Sequence, residues 1–355
     1  MSTDLLALTA ELVAMPSESR AEGPITDWFE AELRSVAGLD VTRVGDNVVA
    51  RTDLGRPSRL VLAGHTDTVP ANGNARPRID GDTLWGLGST DMKGGLAVML
   101  DLARTVPEPA VDVTYVFYAR EEVDAAESGL GELFEARPDL LVGDVALLGE
   151  PTTAVIEAGC QGTMRLEVTM AGERAHTARP WMGRNAIHRL GEVLSRVADA
   201  QWRRPVIDGC EYREALQAVG VDGGVAANVV PDRATLTLNH RFAPDRTPDE
   251  AEAAVRAVVE PALGDGDVIE RVDVADGAAP GLDHPLLATL IERNDLEVRA
   301  KLGWTDVARF AARGVPAANF GPGEATIAHS ADERLEREPL DRTAAALRDL
   351  LSVGV

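Results

Sequence analysis

The segment RLVLAGHTDTVP, residues 59–70, begins as an apolar run and ends in polar residues that include a histidine and an aspartate. A short apolar run of this kind is typical of a strand buried on both faces of a sheet. His65 and Asp67 would then lie at the carboxyl end of the strand. In open α/β sheets the functional crevice lies outside the carboxyl ends of the strands. The segment therefore predicts an α/β fold with functional side chains at this edge.

The same arrangement recurs along the chain, where an acid or an imidazole follows one apolar run after another. The segments are VTYVFYAREEV (113–123) with Glu121 and Glu122, DVALLGEPT (144–152) with Glu150, and PAANFGPGEATIAHS (316–330) with His329. In GLGSTDMKGGLAVML (86–100), Asp91 stands at the start of a predicted helix. If these strand ends converge, the side chains meet at one point and can bind a metal. The pattern predicts a metal-dependent hydrolase.

Each of these residues also has a plain structural explanation. A single acid at a strand end is usually a solvated loop carboxylate, and Asp91 would serve equally well as a helix N-cap. The set as a whole favours a metal site. Glu121 and Glu122 are adjacent like charges that repel unless a cation compensates them, and the GHTD motif is typical of an imidazole ligand oriented by a nearby acid.

Composition restricts the class of protein. The chain has 355 residues, of which 45% are hydrophobic, so it can form two domains with their own cores and is not a disordered protein. Its formal net charge of −23 and its lack of a basic stripe argue against nucleic-acid binding, which depends on clustered Lys and Arg. We expect no nucleic-acid partner.

The sequence also predicts a cytoplasmic protein that does not bind membranes. No apolar stretch reaches about 18 residues, which is the length that a membrane helix needs. The amphipathic N-terminal segment has no basic region or long apolar region of the kind found in a signal peptide. Cys160 and Cys210 form no CxxC motif, and we expect two reduced thiols.

The pattern of predicted elements indicates two domains, one inserted in the other. Helix-like and strand-like segments alternate up to Gly162. The character then changes to a polar and apolar alternation with a β-α-β-β-α-β-like order, and DGAAPGLDHP (276–285) has the composition of a linker. We therefore predict a discontinuous catalytic domain, residues 1–162 and 276–355, and an inserted domain, residues 163–275.

Five motifs, taken in this order and spacing, resemble the dinuclear zinc aminoacylase and carboxypeptidase family called M20: GHTDTVP, GLGSTDMKGG, AREEV, GEPT and IAHS. The resemblance covers essentially the whole chain. It implies a zinc-exopeptidase-like catalytic domain with a central mixed sheet flanked by helices. It also implies that the inserted domain is a smaller α+β, ferredoxin-like domain through which two chains form a homodimer.

The resemblance assigns a role to each residue at the predicted site. One metal would be held by His65 and Glu150, the other by Glu122 and His329, with Asp91 as the bridge. It implies two Zn²⁺ per chain, for which Co²⁺ or Mn²⁺ could substitute. Further implied features are Glu121 as general base, Asp67 as the acid that holds His65 in one tautomer, and a cis peptide between Asp91 and Met92.

The resemblance also extends to residues outside the metal site. In RAHTARP (174–180), His176 matches the histidine that reaches the active site of the partner subunit and stabilises an oxyanion, although a surface loop histidine is the alternative. Arg241 and Asn228 match family positions that contact substrate carboxylates. Because the net charge is −23, capture of a carboxylate substrate needs a local positive pocket, to which Arg179 or Arg184 would add, and we expect Gly323 to bind substrate as well. His188, His240 and His284 lie in no motif, and we expect structural roles for them.

Within the family, KLGWTDVARF (301–310) and NFGPGEATIAHS (319–330) resemble enzymes that hydrolyse N-succinyl-LL-2,6-diaminopimelate to LL-2,6-diaminopimelate and succinate. We expect this reaction, with an N-acyl amino acid as the small-molecule substrate. Deacetylation of N-acetylornithine and dipeptide cleavage are the alternatives. A mononuclear zinc enzyme is a further alternative, and a noncatalytic metal-binding paralogue is the hypothesis from a different class.

Overall fold

The computed structural model describes residues 3–354, which form two compact units. Unit 1 consists of three stretches of chain: residues 3–159, 280–299 and 306–354. Unit 2 consists of residues 160–279 together with the short segment 300–305. Unit 2 is thus inserted in unit 1, and both ends of the described chain belong to unit 1.

Nine α-helices lie within the described residues. They are α1 (Leu5–Val13), α2 (Gly23–Arg34), α3 (Gly94–Thr105), α4 (Gly129–Ala136), α5 (Ala186–Asp199), α6 (Pro248–Val259), α7 (Pro285–Asn294), α8 (Val307–Ala311) and α9 (Arg337–Val353). Among residues 3–354, none of the helices has both the length and the apolar character that a bilayer crossing requires.

Most of the strands belong to the two main sheets. The strands of unit 1 up to the insertion are β1 (Asp40–Val44), β2 (Asn47–Arg51), β3 (Arg59–His65), β4 (Arg78–Asp80), β5 (Thr83–Trp85), β6 (Asp112–Tyr118), β7 (Val145–Leu148) and β8 (Ile156–Ala158). Those that follow are β9 (Gly162–Ala171), β10 (Val206–Ile207), β11 (Cys210–Glu211), β12 (Ala215–Gly223), β13 (Arg233–Phe242), β14 (Val268–Ala275), β15 (Val298–Ala300), β16 (Ala317–Asn319) and β17 (Arg334–Glu336).

The main sheet of unit 1 has eight strands in the order β1-β2-β6-β3-β7-β16-β8-β15. Its centre is parallel, because β3 pairs in parallel with β6 and β7, and β7 pairs in parallel with β16. All seven residues of β6 are buried, as expected for a strand covered on both faces. The parallel pairing brings the carboxyl ends of β3, β6, β7 and β16 to the same edge.

Helix α3 lies very close to the strand that precedes Glu150. A Cβ atom on Gly95, in the first turn of α3, would lie 2.3 Å from the carbonyl oxygen of Gly149. Only glycine allows this approach, since the neighbouring group is backbone and cannot rotate away. The two glycines therefore bring the turn that carries Asp91 close to the end of β7.

Unit 2 contains a four-stranded antiparallel sheet in the order β12-β13-β9-β14. Apart from the short pair β10-β11 between α5 and β12, the elements follow each other as β9-α5-β12-β13-α6-β14, which is the ferredoxin-like order. Buried residues alternate along β9, and its apolar side chains share a core with Leu190 and Val193 of α5 and with Val255 of α6. One face of the sheet is thus covered by both helices.

The predicted fold class is confirmed: a large mixed sheet flanked by helices forms the first unit. Two features differ from the sequence analysis. The segments 160–162, 276–279 and 300–305, which the predicted boundaries place in the catalytic domain, belong to unit 2. The last helix, α9, was not predicted, although Leu340, Leu347 and Leu351 are spaced to lie on one buried face.

We predict that Gly95→Ala lowers the free energy of unfolding by about 1–3 kcal/mol, because the new methyl group overpacks a contact with backbone. The matched control is Gly191→Ala in α5, where a Cβ would meet nothing within 4 Å. That change should raise the free energy of unfolding by about 0.5–1 kcal/mol, since alanine is the better helix former. Thermal or denaturant unfolding checks both, and equal effects of the two substitutions would contradict the packing argument.

Candidate metal centre

Six side chains from five segments converge at the carboxyl edge of the main sheet. His65 is the last residue of β3 and is level with Tyr118, the last residue of β6. The other five follow strands or precede α3 by a few residues: Glu121 and Glu122 after β6, Glu150 after β7, His329 after β16, and Asp91 in the turn before α3. The convergence follows from the parallel order of β6-β3-β7-β16.

Asp91 lies between the two histidines and directs one carboxylate oxygen at each. His65 Nε2 is 3.1 Å from Asp91 Oδ1, and His329 Nε2 is 3.6 Å from Asp91 Oδ2. On the other side, His329 Nε2 is 2.8 Å from Glu122 Oε1. A carboxylate with its two oxygens aimed at separate imidazoles has the arrangement of a bridging ligand. The Asp91–Met92 peptide bond is cis, as the resemblance implies.

The donor atoms form overlapping groups that fit two cations. Within each of the following sets, ligand atoms lie within 4.8 Å of one another: His65, Asp91 and Glu150; Asp91, Glu122 and His329; and His65, Glu121 and Glu122. The first two sets share Asp91. All donors are imidazole nitrogens or carboxylate oxygens, which suit zinc, cobalt and manganese. The residues present therefore fit a pair of metal ions bridged by one carboxylate.

The site is rich in carboxylates that compete for positive charge. Burial, aided by the nearby Glu150 and Asp306, raises the pKa of Glu121 well above that of an ordinary glutamate. Hydrogen bonds to Asp91 and Glu122 raise the pKa of His329 to about 10. The pKa of Glu121 is raised mainly by burial and that of His329 by its acidic partners, and in both cases neighbouring carboxylates favour the protonated form.

Asp67 has more partners than the sequence suggested. His65 Nδ1 is 3.1 Å from the backbone carbonyl oxygen of Asp67 and 3.5 Å from its Oδ1. The Asp67 carboxylate accepts the backbone N–H groups of Glu121 and Glu122 at 3.0 and 3.1 Å, and the hydroxyl of Ser19 at 2.7 Å. Burial opposes its ionisation, yet the His65 contact and these donors hold the pKa of Asp67 at about 2. The residue thus orients both His65 and the Glu121–Glu122 turn.

Sequence reasoning missed buried acids that support the site. Glu333, which is 1% exposed, accepts the N–H groups of Thr90 and Asp91, both at 3.2 Å. Asp306 is also buried and forms an ion pair with Arg309 at 2.6 Å. Glu333 lies four residues after His329, and this closeness to the IAHS motif was the one available signal. Nothing in the sequence around Asp306 distinguishes it from a helix cap.

The predicted residues outside the metal site have separate locations. Gly323 lies against the Asp91 turn in unit 1, since a Cβ on it would be 2.1 Å from Thr90 O. In unit 2, His176, Arg179 and Asn228 are exposed and lie close together: Arg179 N–H donates to His176 O at 2.7 Å. The backbone N–H of Thr177 donates to Asn228 O at 3.0 Å.

Arg241 lies on β13, also in unit 2, and is half-buried. Burial lowers the pKa of its guanidinium. Among residues 3–354 it is in no ion pair with a carboxylate. A half-buried guanidinium without an acidic partner is suited to bind an external carboxylate.

Comparison with protein families assigns the chain. The family described as Peptidase family M20/M25/M40 matches residues 61–353, a range that contains all six converging side chains. The chain belongs to this peptidase family. The resemblance inferred from five short motifs is therefore confirmed over most of the sequence.

Relatives of this M20 protein extend over its full length. A Mycobacterium tuberculosis protein named "Putative succinyl-diaminopimelate desuccinylase DapE" is 52% identical, covering 98% of this chain and 97% of the relative. A Corynebacterium glutamicum protein named succinyl-diaminopimelate desuccinylase is 45% identical, covering 98% and 96%.

Solved structures with the same fold are more distant in sequence. A Staphylococcus aureus tripeptidase has a TM-score of 0.79 at 22% identity, covering 98% of this chain and 97% of that one. A Bacillus subtilis protein described as a dinuclear metal-binding peptidase from the M20 family has a TM-score of 0.72 at 17% identity, covering 98% and 96%. These similarities show the fold of the M20 protein.

We predict that chelator treatment lowers the melting temperature of the M20 protein and that Zn²⁺ restores it. Zinc at about 100 times its Kd should add about 2.7 kcal/mol, because it binds the folded donor set and not the unfolded chain. Elemental analysis should find two metal ions per chain in wild type and in His188→Ala, an exposed histidine on α5. His65→Ala and His329→Ala should bind fewer. Equal metal content in all four proteins would contradict a site at these residues.

Proposed function

We propose that this protein hydrolyses the amide bond of N-succinyl-LL-2,6-diaminopimelate, giving LL-2,6-diaminopimelate and succinate. The observation that carries the proposal is the convergence of His65, His329 and four carboxylates at the edge of the sheet, with Asp91 between the histidines. The choice of substrate is supported by the names of the two relatives at 52% and 45% identity. One water is consumed for each amide bond that breaks.

The proposed ligand sets follow the geometry of the donor atoms. His65 and Glu150 would hold one zinc ion, Glu122 and His329 would hold the other, and Asp91 would be the ligand that the two share. When bound, the two ions supply Lewis-acid chemistry that polarises the amide carbonyl and makes water more acidic. The protein orients the donors: Asp67 accepts from the turn that carries Glu122, and Glu333 accepts from the turn that carries Asp91.

Glu121 is the proposed general base. It precedes the proposed ligand Glu122. One of its carboxylate oxygens lies within 4.8 Å of a ligand atom of His65 and of Glu122. Burial raises the pKa of Glu121, which makes its carboxylate a stronger base, able to take a proton from water and then to pass that proton to the leaving amine. The second transfer is needed because the amide nitrogen must be protonated before the C–N bond breaks. The same carboxyl group makes both transfers.

The residues of unit 2 are proposed to bind substrate and to complete the site in a dimer. Arg241, which forms no ion pair with an acid in the described part of the chain, would bind a substrate carboxylate, and Asn228 and Arg179 would add polar contacts. His176 is exposed on unit 2, and we propose that it stabilises the oxyanion at the active site of a partner subunit. The proposal therefore requires a homodimer.

The first test measures amine release from N-succinyl-LL-2,6-diaminopimelate and from N-acetylornithine in parallel, with zinc-loaded and chelator-treated protein. We expect cleavage of the succinyl substrate that depends on metal. Preference for the acetyl substrate would replace the proposed substrate but not the reaction class. Absence of cleavage with either substrate would contradict the proposed function.

We predict that Glu121→Gln lowers kcat by at least about 100-fold, since general base catalysis typically contributes that much or more. Its zinc content should equal that of wild type, because Glu121 is not one of the proposed ligands. Glu11→Gln, an exposed site on α1, is the matched control and should leave kcat unchanged. Undiminished turnover by Glu121→Gln would exclude the proposed base.

A complementation experiment tests the role of His176 across subunits. Glu121→Gln and His176→Ala should each be nearly inactive, while equal mixtures that exchange subunits should recover roughly a quarter of wild-type activity, because half of the dimers would contain one complete site. If His176 acted within its own chain, no mixed dimer would contain a complete site. Sedimentation of the mixture verifies that dimers form. A mixture of dimers without recovered activity would refute the role of His176 at the partner's active site.

A further inference from the structure

The turn after β6 presents three consecutive backbone amides to two buried carboxylates. The N–H of Arg120 donates to Glu22 Oε1 at 3.1 Å. The next two amides, those of Glu121 and Glu122, donate to Asp67 Oδ1 and Oδ2 at 3.0 and 3.1 Å. Glu22 and Asp67 belong to separate segments of the chain, so the turn is fixed from two sides.

Arg120 adopts a backbone conformation that its residue type rarely takes. Its φ is +59°, in the left-handed region that favours glycine. Its side chain is fixed as well, because Nε donates to Glu127 O at 2.8 Å and Nη2 donates to Glu132 Oε2 at 2.7 Å. A left-handed residue at this point sets the direction in which the following two glutamates leave the strand.

The Glu22 carboxyl group is buried, and the hydrogen bonds that it accepts come from backbone amides, those of Arg20 and Glu22 in its own segment and that of Arg120. It is completely buried at the N-cap of α2, yet its side chain does not cap that helix. Among residues 3–354, its carboxylate forms no ion pair with Lys, Arg or His, and Oε2 accepts no hydrogen bond. Burial of a carboxyl group without a cation is costly, and it raises the pKa of Glu22.

The segment that carries Glu22 makes a second connection to this turn, through Ser19 and Asp67. The hydroxyl of Ser19, three residues earlier, donates to Asp67 Oδ2 at 2.7 Å, and the Ser19 N–H donates to Thr68 O at 3.1 Å. The segment from Ser19 to Glu22 therefore contacts the turn directly through Glu22 and indirectly through Asp67.

We propose that Glu22 is a positioning residue for the general base. By accepting the amide of Arg120 it holds the left-handed turn from which Glu121 extends, while the amide of Glu122 stays held by Asp67. The inference rests on the proposed function, in which Glu121 handles the proton. Glu22 itself contacts neither of these side chains through a hydrogen bond, so it acts through the backbone.

The test compares Glu22→Ala, which removes the acceptor, with Glu22→Gln, which keeps an amide oxygen at the same place. Glu22→Ala should lower kcat by about 10–100-fold, the range found for residues that orient a catalytic group. Zinc content and KM should stay near the wild-type values. Glu22→Gln should recover most of kcat, and Glu18→Ala, an exposed glutamate in the same segment, is the matched control.

A second measurement requires no substrate. Hydrogen exchange of peptides that cover residues 118–124 should be faster in Glu22→Ala than in wild type, and Glu22→Gln should restore the slow exchange. This comparison holds even if wild type does not cleave the succinyl substrate, so failure of the proposed function and failure of the present inference are distinguishable.

Three results would overturn the role of Glu22. The first is Glu22→Ala with wild-type kcat or wild-type exchange. The second is an equal defect in Glu22→Ala and Glu22→Gln, which would mean that the acceptor oxygen is not what matters. The third is a loss of zinc and of melting temperature in parallel with kcat, which would indicate a merely structural contribution.

Discussion

Repulsion between carboxylates at one edge of a parallel sheet is the constraint on which the rest of this structure depends. Four acids, Asp91, Glu121, Glu122 and Glu150, lie beside two histidines. Their charge is balanced in part by the two histidines, whose ring nitrogens lie against Asp91 and Glu122. The remaining imbalance is what makes the edge attractive to cations. A fold that concentrates negative charge in this way requires turns that hold the acids in place.

These turns are held largely through their backbone amides. Asp67 and Glu333 are buried acids that accept N–H groups from the turns bearing the converging residues. Glycines serve the complementary purpose, because Gly95 and Gly323 allow the backbone to approach where any side chain would collide. The site is thus supported by main-chain geometry more than by contacts between side chains.

The six converging residues could be predicted from sequence because each follows a recognisable local pattern, an apolar strand or a glycine-rich helix start. The register of a parallel sheet then brings strand ends together without further information. The supporting acids could not be predicted this way. Glu22 and Glu333 contact residues that are 98 and 242 positions away along the chain, and their own surroundings are ordinary polar sequence. Their importance arises only from tertiary contacts.

The strands of unit 2 illustrate the same limit. The alternation in β9 is evident because one face of the strand is buried, whereas β12 and β14 are largely exposed and carry little pattern. The positions of these exposed strands were therefore not predicted, whereas the β-α-β-β-α-β order of the inserted domain was. Segment 300–305 could not be assigned either, since no composition change marks where the chain leaves one unit for the other.

The strand order of the main sheet has a consequence for how the chain is made. Strand β16 lies between β7 and β8, although about 160 residues of chain, which include all of the ferredoxin-like unit, separate it from them. While a ribosome synthesises those residues, β7 and β8 have an open position between them. Unpaired strand edges are sites of aggregation. Synthesis therefore passes through a stage in which the inserted unit can fold while the sheet around it is still incomplete.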